Sequence, residues 1–202
     1  MPLQISANAS SKLFGAPASL PGFTTVGLVN GDTVTHVDQA SSGAVATAPV
    51  QGSPYAIVPS GATGNFVPGN YTITYVNGTL TIAPAPLSIT ANDASKNYGQ
   101  VVTFPTTAFT SQGLVNGDTV TGVVSTSAGS VATARVSGSP YAIVPSAAEG
   151  TLVLGNYNIS YINGALTVVP ANLSITANDA SKTYGQTSTL SPQAFSSVGL
   201  VN

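Results

Sequence analysis

An all-β fold, built from small sandwich units in tandem, is predicted by three features of this 202-residue chain. Segments recur at a fixed step, apolar and β-branched residues come in short alternating runs, and Gly, Pro and Asn punctuate those runs every few residues. Gly-Leu-Val-Asn starts at Gly27, Gly113 and Gly199, each 86 residues after the last, and Ser-Pro-Tyr-Ala-Ile-Val-Pro-Ser starts at Ser53 and again at Ser139. The strand-opening leucines Leu3, Leu87 and Leu173 keep the same step, except that the first unit is two residues short between Pro21 and Phe23. The chain therefore reads as a first unit at 1–84, a second at 87–169 and the start of a third at 173–202, with proline linkers at 84–86 and 170–172. Units of this length can bury a modest core each. The expected architecture is an immunoglobulin-like sandwich, with a β-grasp-like, mostly-β unit as the alternative.

Taken in order through the second unit, Leu87 to Ala91 alternates as a strand with Leu87, Ile89 and Ala91 on one face. Tyr98-Gly99 is a turn beside an aromatic anchor. Val101 to Phe109 is strand-like but broken by Pro105, which confines it to short or edge segments. Asn116-Gly117-Asp118 is a turn, and Thr119 to Val124, Val131 to Val136 and Tyr141 to Val144 are further strands. Asn77-Gly78 and Asn163-Gly164 read as type I′ hairpin turns, which would set Tyr75 against Leu80 and Tyr161 against Leu166. Predicted core residues of this unit are Leu87, Ile89, Tyr98, Phe109, Leu114, Val120, Tyr141, Ile143, Tyr157, Ile159, Tyr161, Leu166 and Val168. The third unit stops before its Ser-Pro-Tyr segment, so 173–202 is expected to pack loosely or to dock on the second unit.

Only 5% of residues are charged, against roughly a quarter in an ordinary soluble domain, so polarity rests on Ser, Thr, Asn and backbone. A net charge of −2 gives no electrostatic footprint for nucleic acid or an anionic membrane. There is no cysteine, hence neither disulfide nor thiolate metal site. No apolar run is long enough to span a bilayer, and the N-terminus carries no signal-peptide pattern, so any export signal is expected outside this sequence.

No catalytic, cofactor or metal site is assigned. His36 is the sole histidine, its counterpart is Gly122, and no nucleophile elbow accompanies it. The acids Asp32, Asp38, Asp93, Asp118, Glu149 and Asp179 are scattered. Calcium needs six to eight oxygens, so a junction site at Asp93 or Asp179 is weighed against an ordinary Asx turn. Lys12, Lys96 and Lys182 recur in register, and a Lys-Asn isopeptide bond near Asp118 is weighed against a local Asp93 to Lys96 contact. Tyr71, Tyr75, Tyr157 and Tyr161 are read as core residues rather than sugar platforms.

The segment Leu-Ser-Ile-Thr-Ala-Asn-Asp-Ala-Ser-Lys-Thr-Tyr-Gly at 173–185, with Gly-Leu-Val-Asn-Gly-Asp at 113–118, Tyr-Ala-Ile at 141–143 and Asn-Tyr-Asn-Ile-Ser-Tyr-Ile-Asn-Gly-Ala-Leu-Thr-Val at 156–168, resembles the MBG domain of the Tyr-Gly type. The first unit departs from it, with Leu13-Phe14-Gly15 in place of Asn97-Tyr98-Gly99. The resemblance implies export, tandem arrays in bacterial filamentous-haemagglutinin-like exoproteins and adhesins, and no enzymatic activity. The expected function is therefore that of a non-catalytic spacer, or stalk, of a secreted or cell-surface adhesin, whose partners are the neighbouring repeats. The alternative is a β module that binds a glycan or host receptor.

Overall fold

The computed structural model describes residues 1–201. Strands hold 47% of the residues and helix is limited to single 3-10 turns, so sheets alone supply the layers. The chain divides into two compact units, one of residues 1–89, 111–121 and 149–160, the other of 90–110, 122–148 and 161 onward.

The first unit contains β1 (Pro2–Ala7), β2 (Ser10–Leu13), β3 (Phe23–Val26), β4 (Val34–Ala40), β5 (Tyr55–Gly64), β6 (Thr72–Val76) and β7 (Gly78–Ala83). These form two sheets, ordered β3-β1-β6 and β2-β7-β5-β4. β1 runs antiparallel to β3 and parallel to β6, with Leu3 opposite Ile73 and Ile5 opposite Tyr75. β2 runs parallel to β7, with Lys12 opposite Ile82. Each sheet thus takes one half of the same two long strands. β1 continues into β2 through a bend at Asn8-Ala9, and β6 continues into β7 through a bend at Asn77.

This geometry corrects the hairpin reading of Asn77-Gly78. β6 and β7 lie in different sheets, and neither Asn77 nor Gly78 has positive φ. Glycine is required for another reason: a Cβ on Gly78 would stand 2.6 Å from the Ala7 carbonyl oxygen and 2.7 Å from that of Asn8. The two bends are pressed together, and only a residue without a side chain fits. Strands that switch sheets at such bends make the corners of a sandwich. The type I′ turn falls instead at Val29-Asn30-Gly31-Asp32, where Asn30 and Gly31 have φ of 57° and 78° and the Asp32 N–H donates to the Val29 carbonyl at 3.0 Å.

Because the long strands change sheets halfway, buried side chains of the first repeat gather in separate clusters. Leu3, Ile5, Val37, Phe66 and Tyr71 make one, and Ala7, Ile57 and Leu80 another. Burial in β7 alternates strictly, as expected for a strand with one wet face. The Ser53 hydroxyl accepts from the Ile82 N–H at 2.8 Å, which ties the start of the Ser-Pro-Tyr segment to β7.

The second repeat supplies β8 (Ala85–Ala91), β9 (Ala94–Asn97), β10 (Phe109–Gln112), β11 (Val120–Thr126), β12 (Tyr141–Gly150), β13 (Tyr157–Ile162) and β14 (Gly164–Val169), in sheets ordered β10-β8-β13 and β11-β12-β14-β9. The bend recurs at Gly164, whose Cβ would meet the Ala91 carbonyl oxygen at 2.6 Å. Asn163-Gly164 is likewise a sheet-switching corner rather than a hairpin. Val131 to Val136 is not a strand. That loop, flanked by 3-10 turns at Ala128–Ser130 and Val136–Gly138, folds over the Tyr141 ring, and the Tyr141 hydroxyl donates to the Arg135 carbonyl at 2.9 Å.

Of the predicted core, Leu87, Ile89, Ile143, Tyr157, Leu166 and Val168 are buried. Tyr98, Phe109, Leu114, Val120, Tyr141 and Ile159 are half-buried, and Tyr161 is exposed. Tyr161 and its counterpart Tyr75 reach across instead of inward. Their hydroxyls accept the N–H of Ala148 at 2.9 Å and of Ala62 at 3.0 Å. Past Asn172, β15 (Ser174–Ala177) and β16 (Phe195–Val198) form an antiparallel two-stranded ladder in which every residue is exposed.

The bend and the turn use glycine differently, and substitution separates them. Gly164→Ala drives a methyl into backbone and is expected to destabilise by about 1–3 kcal/mol, the range of an overpacked core. Gly117→Ala meets nothing within 4 Å and bears only the positive φ of 79°, which costs about 1 kcal/mol. Urea unfolding midpoints of the two variants should fall in that order.

Candidate functional site

Residues with chemistry to offer are dispersed. His36 Nε2 lies 3.0 Å from Asp38 Oδ1 on β4, but both side chains are about two-thirds exposed, and Thr63 and Ser60 stand opposite them on β5 with no hydrogen bond to either side chain among the described residues. A surface pair of this kind contributes under about 1 kcal/mol. Among the described residues no three His, Cys, Asp or Glu come together as a metal cluster. Asp93 Oδ1 accepts from the Ala165 N–H at 2.7 Å, so this carboxylate is engaged in backbone bonding between β9 and β14 rather than in a contact with Lys96.

Two of the three recurring lysines are clamps, whereas Lys182 is exposed and reaches only the Gln186 carbonyl at 3.4 Å. Lys12 and Lys96 are buried, and each ammonium donates to two backbone carbonyls. Lys12 binds Ala16 at 2.9 Å and Val45, and Lys96 binds Gln100 at 2.8 Å and Val131. Each lysine therefore closes the turn that follows its own strand and holds a distant loop against it. Burial lowers the Lys12 pKa. All the partners of these ammoniums are carbonyl oxygens, and the isopeptide arrangement of lysine with asparagine and acid is not formed. The register of Lys12 and Lys96 was visible in the sequence, but their carbonyl partners were not, since any residue supplies a carbonyl.

The Gly-Leu-Val-Asn-Gly-Asp turn is locked by a tyrosine from the sequence that opens the last long strand. Tyr71 donates to Asp32 Oδ2 at 2.6 Å and accepts from the Val29 N–H at 3.3 Å. Tyr157 does the same with Asp118 at 2.6 Å and Val115 at 3.2 Å. Both tyrosines have raised pKa values. For Tyr71 the bond to Asp32 is the leading cause and burial the second, whereas for Tyr157 burial leads and the bond to Asp118 follows.

Within the first compact unit this locked turn of the second repeat meets the Phe-Gly turn of the first. Val115 sits where Gly15 has no side chain: a Cβ on Gly15, whose φ is +87°, would lie 2.5–2.9 Å from three Val115 carbons. The Phe14 and Tyr157 rings pack edge to face, with centroids 5.5 Å apart and an angle of 80°. Such aromatic pairs are worth about 0.5–1.5 kcal/mol beyond their area. Two amides complete the seam, Asn156 Oδ1 accepting from the Val50 N–H at 3.0 Å and Asn116 Nδ2 donating to the Ala46 carbonyl at 3.2 Å. Asn156 is buried, although its counterpart Asn70 is exposed, so no composition or periodicity within one repeat distinguishes it.

The second compact unit repeats half of this joint. Gly99, with φ +91°, receives Val201 as Gly15 receives Val115, with Val201 carbons at 2.6–3.0 Å from its Cβ position. Beside it an apolar cavity of about 250 Å³ is lined by Tyr98, Val136, Pro170, Ala171, Leu173 and Val201.

The neutral phenol is the form that the Tyr-Asp lock holds. A pKa raised in the fold means that the lock's stabilisation is complete below pH 10 and is lost as pH climbs through the raised values. Tyr157→Phe is expected to cost about 1–3 kcal/mol at neutral pH, because it leaves Asp118 without its donor. It should also flatten part of the alkaline fall in the urea midpoint above pH 10. Lys12, with its lowered pKa, works in the opposite sense, so the informative quantity is the difference between wild type and Tyr157→Phe at each pH.

The model of the MBG domain (YGX type) matches the chain twice, over residues 3–81 and 87–167. No curated protein and no solved structure matches the chain. Gly99 of the Tyr98-Gly99 turn and Gly15 of the corresponding Phe14-Gly15 turn are the positions that receive valine. Matched over well more than half its length, with both repeats in register, the chain belongs to the MBG domain family as a tandem repeat.

Proposed function

We propose that this chain is a non-catalytic spacer, part of the repeat region of a bacterial secreted or cell-surface adhesin, where it holds other parts of the protein away from their anchor. Its partners on this reading are the neighbouring repeats of the same polypeptide, and its place is extracellular. The carrying observation is the joint itself. Only Pro84 separates β7 from β8, and Val115, Asn116, Asn156 and Tyr157 of one repeat engage the Phe14-Gly15 turn, Ala46 and Val50 of the one before. A proline with fixed φ between two paired strands, backed by apolar and hydrogen-bonded contacts, restrains bending far more than a flexible linker would. Low charge and the dispersal of titratable groups support a mechanical role over a chemical one.

A second reading, a glycan- or receptor-binding module, is favoured by one feature. A groove of about 380 Å³ on the second repeat is lined by Ser88, Gln112, Asn158 and Ser160 beside Pro86 and Leu87. Hydroxyls and amides around an apolar floor suit a sugar ring.

Displaying an epitope on a cell-surface anchor above increasing numbers of these repeats tests the first reading. Antibody access should rise stepwise with repeat number, and access indifferent to repeat number ends the spacer proposal. A glycan array probed with the same chain and with Asn158→Ala tests the second, which requires binding that the substitution removes. At the level of the joint, Gly15→Leu expels Val115, and small-angle scattering should show a broader distance distribution than the wild type. An unchanged distribution would mean that the joint does not restrain bending.

A further inference from the structure

The same strand is buried twice in this chain and left bare once. Leu87 and Ile89 of β8 are 1% and 0% exposed, and Leu3 and Ile5 of β1 are likewise 1% and 0%, whereas the matching Leu173 and Ile175 are 49% and 63% exposed. In the two matched repeats this strand is the centre of three, β3-β1-β6 and β10-β8-β13, but β15 pairs only with β16. Its other edge is free among the described residues, and an unpaired edge is a template for strand addition. The aromatic of the preceding repeat's Tyr-Gly turn follows the same pattern. Phe14 is 5% exposed beneath the ring of Tyr157, while Tyr98 is half-buried at the wall of the apolar cavity.

We propose that the Tyr98 cavity and the free edge of β15 together form one docking surface, and that its occupant is a strand of the Asn-Tyr-x-Ile-x-Tyr type, as in Tyr157–Ile162, from the remainder of a third repeat. The register is specified by the first repeat. Ile73 stands opposite Leu3 and Tyr75 opposite Ile5 in parallel, so the incoming Ile falls opposite Leu173 and the incoming second Tyr opposite Ile175. The incoming first Tyr then covers Tyr98 as Tyr157 covers Phe14. The Asn before it reaches the Val136 N–H as Asn156 reaches that of Val50. Val201, already seated on Gly99, supplies continuity with the joint formed in the first unit. The inference rests on the joint's geometry and not on the spacer reading, and the two fail separately.

The test extends the full chain after Asn202 with a copy of residues 117–169, which completes a third repeat, and follows amide hydrogen exchange. The β15 amides should slow roughly 100-fold relative to the 202-residue chain, the scale of passing from a frayed ladder to a sheet interior. Tyr98→Ala in the extended chain should return most of that exchange. Alanine in place of the appended copy of Tyr157 should do the same. The amides of Ile143 and Leu166 serve as the control that the second repeat remains folded. Fast β15 exchange in the extended chain overturns the proposal, as does protection indifferent to Tyr98. Concentration-dependent protection of β15 in the 202-residue chain, with a dimer in sedimentation, would assign the surface to a second copy and also overturn it.

Discussion

Everything in this fold follows from two strands that must bend at the same point while staying paired. β1 runs parallel to β6 before the bend and β2 parallel to β7 after it, so the corner brings backbone against backbone with no room for a side chain. Gly78 touches the carbonyls of Ala7 and Asn8, and Gly164 those of Ala91 and Asn92. The corner separates small clusters within the first repeat's interior, each only a few residues deep. A core so divided has little hydrophobic area per cluster, and burial scales at roughly 25 cal/mol per Å². The remaining order comes from polar devices: a lysine on two carbonyls, a tyrosine on an aspartate, a serine on a strand amide. All of these partners lie inside the repeat, and the carbonyls around Lys12 and Lys96 replace the water that burial removes from their ammoniums.

The sequence made the all-β class, the period and the one-sided strands legible, because each is carried by local alternation and by glycine and proline punctuation. Leu87, Ile89 and Ala91 face inward as their spacing requires, and β11 and the start of β12 fall close to where β-branched residues gather, whereas β9, Ala-Ser-Lys-Asn, contains none and gives no strand signal. The Asn-Gly dipeptides at 77–78 and 163–164 mislead for an equally physical reason. Asn30-Gly31 and Asn77-Gly78 present the same two residues between apolar runs. The first pair sits at φ 57° and 78° in a tight turn, and the second is an extended corner. What separates them is a carbonyl about seventy residues earlier in the chain, and no window along the sequence contains it. Val131 to Val136 was misjudged likewise: its alternation is that of a strand, but the Tyr141 ring underneath holds it as a loop.

The joint is the least legible part, and its Ala46 and Val50 carry no signal at all, since they contribute only backbone groups. Gly15 and Gly99 belonged to a recognised turn, Val115 and Val201 to a recognised repeat, and Tyr157 to a predicted core. Their meeting depends on the axis of one repeat following from the last strand of another, and periodicity says only that the same meeting recurs. The departure of the first repeat from the Tyr-Gly pattern acquires a meaning here. Phe14 lies under the Tyr157 ring, where a hydroxyl would need a partner, and it is almost fully buried. Tyr98 occupies the equivalent place at an open cavity, where its hydroxyl has access to water.

A joint of this kind also constrains how far neighbouring repeats can diverge. Valine fits Gly15 and Gly99 alike, and a larger side chain at Val115 or any side chain at Gly15 would break one contact without disturbing either repeat's interior. The turn that carries the valine is held by the Tyr-Asp lock, and the lock's tyrosine is also the ring that covers the previous repeat's aromatic. Internal order and docking are therefore served by one side chain. Such a contact is of the nearest-neighbour kind that links the units of tandem arrays. The unchanged Gly-Leu-Val-Asn-Gly-Asp and Asn-Tyr thus serve the end of the repeat that docks, while the equally unchanged Ser-Pro-Tyr-Ala-Ile-Val-Pro-Ser supplies the strand whose Ile57 and Ile143 fill the core.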